Sequence, residues 1–166
     1  MKARRGFTLV EILIVVVILG ILAAIVIPQF TEASTESKES RLASDLQMVR
    51  SQVELYKVQH NDDLPGTVAG VTFEQAMSGY TDQDGAWADP QAPATGIFGP
   101  YMQRAPINPF VSDADLADDV TVVDDPTGAA VPGADDSSGW WFNSATGDFR
   151  ANDDDSTSSG TAHSSL

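Results

Sequence analysis

The sequence contains no cysteine, which excludes disulfide staples and thiolate chemistry. Histidine is almost as scarce: only His60 and His163 occur, and neither lies in a recognisable catalytic motif. A general base needs a partner that orients it, so an enzyme reading has little behind it. His60 is expected on the solvent side of a helix end. Basic residues are few as well, nine against twenty-four acids, for a net charge of −15. That balance argues against nucleic acid or an anionic lipid surface as partner. The cations also cluster early, with only Arg104 and Arg150 beyond Lys57.

What the sequence does have is one long apolar run near its start. Lys2, Arg4 and Arg5 precede it, and from Ile12 to Ile27 no polar side chain interrupts it. The stretch 7–27 makes roughly 31 Å of helix, matching the roughly 30 Å hydrocarbon core of a bilayer. Gly20 and Ala24 form a small-xxx-small pair of the kind that packs helices, or serve as ordinary membrane filler. A cleaved secretory signal would have a shorter apolar region and a small-residue site after it. Here Ile25-Val26-Ile27 ends the run with bulky residues. By the positive-inside rule the basic N-terminus stays cytoplasmic and the acidic remainder crosses the membrane. The 166 residues suffice for one such segment and one small domain with a modest core.

One acid, Glu11, stands at the front of the apolar run. Arg4-Arg5-Gly6, then Phe7-Thr8-Leu9-Val10-Glu11, then the aliphatic stretch, resembles the class III signal of type IV pilins and of type II secretion pseudopilins. The resemblance covers residues 1 to about 60, and the major pseudopilin is its nearest form. It implies that a prepilin peptidase cuts between Gly6 and Phe7 and methylates the new amine of Phe7. Glu11 then becomes the fifth residue of the mature chain. It also implies self-association into a helical filament, driven by an assembly ATPase and a platform protein, in the bacterial inner membrane and periplasm. The implied fold is α+β: a long N-terminal helix packed on a small antiparallel β-sheet.

Physical chemistry gives Glu11 a role in that picture. An acid at the centre of a membrane helix costs about 2.5–3.5 kcal/mol, and less near an end. Opposite unit charges about 4 Å apart attract by about 4 kcal/mol at an effective dielectric of 20. The amine freed at Phe7 of a neighbouring subunit therefore offsets the cost.

Pro28 is expected to kink or open the helix where the apolar run ends. Residues 31–60 contain no glycine or proline, and Leu42, Leu46, Val49, Val53 and Tyr56 form one apolar stripe. A helix from Phe7 to about Gln59 would span roughly 78 Å. "HNDDLPG" at 60–66 ends it. The organisation expected is a leader at 1–6, a membrane or filament-core helix at 7–27, an amphipathic extension at 28–60 and a periplasmic domain at 61–152. A disordered polar tail follows at 153–166.

Within the domain, a short helix is expected around Phe73 to Met77, and loop turns at Asp84-Gly85 and Asp89-Pro90. "GPYMQRAPINPF", residues 99–110, resembles the run that precedes the strands in major pseudopilins. "DVTVVDD" at 119–125 reads as a strand, and "GWWFNSATGDFRAN" at 139–152 as a hairpin turning at Asn143 to Gly147. Trp140 and Phe142 share a face, with Trp141 expected half exposed. The paired tryptophans suit a core better than a sugar platform.

The filament role requires no cofactor. Major pseudopilins bind calcium in a C-terminal loop, and the resemblance makes Asp113, Asp115, Asp118, Asp119, Asp124 and Asp125 the candidate ligands. They lack the D-x-D-x-D-G spacing, so a solvated acidic loop is the simpler reading. Three functions stay open on sequence alone: a secretion pseudopilin, a type IV pilin forming a surface fibre, and a membrane-anchored acidic binding module.

Overall fold

The computed structural model describes residues 7–88, 97–133 and 135–166. The chain divides into two compact units, Met1–Ser37 and Lys38–Leu166. Helix α1, Leu9–Gln59, runs through both and continues without interruption past Pro28. It ends where Asn61 and Asp62 adopt left-handed backbone, with φ of 54° and 71°, and the Asp62 amide donates back to the Lys57 carbonyl. Asn and Asp tolerate that conformation better than most side chains, so the composition of the break explains its geometry.

In the first unit the described side chains of 7–34 are all exposed. This apolar helix finds no cover within its own unit.

In the second unit, α1 buries Leu42, Leu46, Val49, Val53 and Tyr56, the stripe read from the sequence. Against that stripe lie α2, Phe73–Ser78, and two sheets. Thr72 starts α2 with a capping box, accepting from the Gln75 amide while the Gln75 side chain accepts from Thr72. Strands β1, Tyr80–Thr81, and β2, Trp87–Ala88, pair antiparallel across the Asp84-Gly85 turn. Asp82 holds that turn by accepting the amides of Asp84 and Ala86. The expected turn at Asp89-Pro90 lies outside the described residues.

Strands β3, Val120–Val123, β4, Trp140–Asn143, and β5, Phe149–Ala151, form the larger sheet in the order β3-β4-β5. The sheet is mixed, not wholly antiparallel: β4 and β5 make the expected hairpin, but β3 runs parallel to β4. The long connection 124–139 makes this possible, because parallel neighbours need a crossover that a tight turn cannot supply. As the central strand, β4 is buried on both faces. Trp141 is therefore 3% exposed rather than half exposed, and the paired tryptophans present no open platform. Phe73, Phe142, Phe149 and Trp140 form the aromatic centre, with ring centroids 4.7–6.0 Å apart between neighbours. Each such burial stabilises by about 1.5–3 kcal/mol.

The tail is the largest departure from expectation. Residues 153–166 are ordered and folded onto the domain. Asp153 and His163 are buried and joined, Oδ1 to Nδ1, at 2.6 Å. Asn108 donates to the second Asp153 oxygen at 2.8 Å, and the Phe110 ring lies 4.2 Å from the imidazole. A bridge between Ser156 and Ala162 closes the loop, and Glu39 of α1 accepts from the Ser158 amide and hydroxyl. Arg50 donates to the carbonyls of Phe149 and Leu166, tying the chain end to β5 and α1. Low apolar content suggested disorder, but a few buried polar contacts order the segment. Removing one partner of such a pair is costly, so His163→Ala should destabilise the domain by about 3 kcal/mol. Thermal unfolding of the detergent-solubilised chain checks this; an unchanged midpoint contradicts the assignment.

Candidate functional site

The candidate site is built at the first turn of α1. Thr8 precedes the first helical residue, Leu9, and Glu11 lies three residues beyond Thr8. The Thr8 amide and hydroxyl each donate to Oε2 of Glu11 at 2.8 Å. The Glu11 amide returns a bond to the Thr8 hydroxyl at 3.3 Å. This is a reciprocal capping box, which satisfies donors that a helix start otherwise leaves free. The carboxylate also lies at the positive end of the helix dipole. Oε1 of Glu11 has no hydrogen-bond partner among the described residues and faces open surroundings. One oxygen is thus held by the chain itself and the other is free to meet a cation. Phe7, four residues earlier in the chain, is 83% exposed.

Thr8 is the residue that the sequence reading passed over. The Thr-x-x-Glu spacing ahead of an apolar run is a capping-box signature, so the signal was present. Gly6 lies outside the described residues. Pro28 sits within α1, where its missing N–H leaves the Ala24 carbonyl without its helical donor. α1 is the one helix among the described residues long and apolar enough to cross a membrane.

The acidic candidates are not brought together. Among the described residues no three acids or histidines gather closely enough to hold a metal ion. Asp113 caps its own turn by accepting the Asp115 amide, and Asp118 lies 3.9 Å from Arg104. Asp125 accepts the Thr127 hydroxyl and the Thr127 and Ala130 amides. Asp113 and Asp125 thus serve local turns, and Asp118 a distant cation.

His60, expected in solvent, is fully buried. Its ring stacks on Tyr56 at 3.8 Å, bonding to the Tyr56 carbonyl and the Thr81 hydroxyl at 2.8 Å each. The physical reason is spacing: position 60 extends the buried stripe by one further step of four. Burial, together with Asp63 and Asp82, pushes the Tyr56 hydroxyl up to about 12.

Comparison with known proteins bears on the whole arrangement. A sequence family described as the prokaryotic N-terminal methylation motif matches residues 1–27. The type II secretion system core protein G of Klebsiella pneumoniae is 32% identical over 116 residues, covering 70% of this chain and 76% of that protein. Its counterpart in Pseudomonas aeruginosa is 39% identical over 109 residues, covering 66% and 70%. The chain belongs to the type II secretion core protein G family. A fimbrial protein of Pseudomonas aeruginosa is 44% identical, but over 54 residues, 32% of this chain and 35% of that one. Likeness to core protein G therefore spans about twice the length of likeness to a pilin. No solved structure matches.

Two outcomes follow from this geometry. Thr8→Val should weaken the first turn of α1 by about 1 kcal/mol, seen as faster amide hydrogen exchange at residues 9–12 in detergent. Unchanged exchange there contradicts the capping box. The second concerns Asp125, which the Thr127 hydroxyl, then the Ala130 and Thr127 amides, hold below its usual 3.8. A lowered folded value means that stabilisation is present above the ordinary value and lost as pH falls through the folded one. Asp125→Asn should therefore lower the unfolding temperature near neutrality and flatten its fall below about pH 4. Parallel acid curves for parent and variant contradict this.

Proposed function

We propose that this chain is the structural subunit of a periplasmic, pilus-like filament that supports protein export across the outer membrane. The observation that carries the reading is the pairing of a membrane-length helix, exposed on all sides, with a single carboxylate poised at its start. Likeness to core protein G across most of the chain supports the same role.

In this reading the precursor waits in the inner membrane with Lys2, Arg4 and Arg5 cytoplasmic and the acidic domain periplasmic. Prepilin peptidase removes Met1 to Gly6 and methylates Phe7. A platform protein and an ATPase then move the subunit from the lipid into a helical array. Lipid-facing Leu, Ile and Val side chains exchange lipid for neighbouring helices, and the open oxygen of Glu11 receives the Phe7 amine of an adjacent subunit. That attraction, about 4 kcal/mol at an effective dielectric of 20, is comparable to the cost of carrying the acid into the membrane. The role as proposed needs no cofactor, and the energy for extraction comes from the ATPase.

Glu11→Ala should leave membrane insertion and cleavage intact and abolish assembly. Immunoblots of membrane and sheared-filament fractions check this, and normal filaments in the variant defeat the pairing. A strain lacking the gene should retain specific exoproteins in the periplasm. Unchanged release with loss of surface fibres would instead make this subunit a type IV pilin.

A further inference from the structure

Within the Lys38–Leu166 unit, α1 carries a second row that the domain leaves uncovered. Stepping two residues, about 200° around the helix, from each buried position gives Ser44, Met48, Ser51, Leu55 and Val58. All five are exposed, Val58 at 78%. Their alternating spacing of four and three is that of a helix packing seam. It carries two serines and three apolar side chains, and none is charged.

Charge identifies the occupant. Residues 38–59 carry four cations and three acids, whereas the chain beyond them carries two cations and eighteen acids. Arg50 is engaged with the tail, and Arg41, 56% exposed beside the row, pairs with Asp45 at 3.4 Å one turn further on. Lys57 has no ion-pair partner among the described residues. The row thus runs through the least acidic surface of a strongly acidic chain. Two copies of a chain with net charge −15 repel one another unless contact sets this surface against an acidic one. The stretch 113–133 supplies such a surface. It carries six of the acids already named, together with Val122, 41% exposed on the edge strand β3, and Val131, 62% exposed.

We propose that the outward row of α1, from Ser44 to Val58, is a self-association face that receives the acidic stretch 113–133 of a second copy. The two patches differ, so the contact is heterologous and does not close on a two-fold axis. Repetition of such a contact generates an open helical array. The inference rests on the filament reading and names the surfaces through which the domains engage.

The test uses the full-length chain in its host, with Leu55→Asp and Val58→Asp together. Both side chains are exposed, so processed protein in the membrane and the unfolding temperature in detergent should match the parent. The yield of sheared filament should fall at least about tenfold, the loss of 1.4 kcal/mol or more of contact. Lys57→Glu leaves the apolar row intact and should also cut the yield severalfold. Filaments at parental yield from the first variant overturn the proposal, even if secretion is lost, since the row then serves another protein. Parental yield from the second overturns the acidic counterpart. A parent strain that forms no filament sinks the proposed function itself and this inference with it.

Discussion

The first unit turns on a single carboxylate at the head of an apolar helix. Glu11 is tolerable there because two donors from Thr8 and the helix dipole compensate one of its oxygens. The other oxygen stays open. An isolated subunit is therefore adequately but incompletely satisfied, a condition that favours a partner carrying a positive charge. The only cations near the start, Lys2, Arg4 and Arg5, precede the proposed cut. In the mature chain an α-amine at Phe7 would be the nearest replacement. The precursor and the mature chain thus differ in how they could meet the same electrostatic demand.

The second unit solves a different problem with the same helix. One stripe of α1 anchors an aromatic core through Tyr56 and the valines and leucines before it, and the sheet and α2 close over that stripe. Without cysteine, the domain relies on that core and on buried polar contacts at its margin. Asp153, His163 and Asn108 order the tail, and Arg50 ties β5 and the chain end to α1. The acids that give the chain its charge are mostly turn caps or exposed groups, so they shape the surface more than the core.

Much of this was legible in the sequence wherever a period or a turn signal was strong. The apolar run, the buried stripe of α1, its break at residues 60–66, α2 and the β4–β5 hairpin all follow from spacing and composition. The parallel pairing of β3 was not legible, because strand direction depends on the path of the connection 124–139 rather than on the strand's own residues. Trp141 illustrates the same limit: alternation assumes one wet face, and a central strand has none. The tail and His60 failed for another reason. Polar composition and a position at a helix end describe average behaviour, while a few specific partners decided both cases. At the functional end the resemblance names Gly6, Phe7 and Glu11, and the capping geometry adds Thr8 beside Glu11.

In the proposed filament, Glu11 is compensated by an amine that only cleavage creates. The most direct measurement is intact-mass analysis of subunits taken from sheared, purified filaments. The expected species begins at Phe7 and carries one methyl group on its amine. Filaments built from subunits that retain Met1 to Gly6 would contradict it, since no amine would then exist at Phe7 for Glu11 to meet.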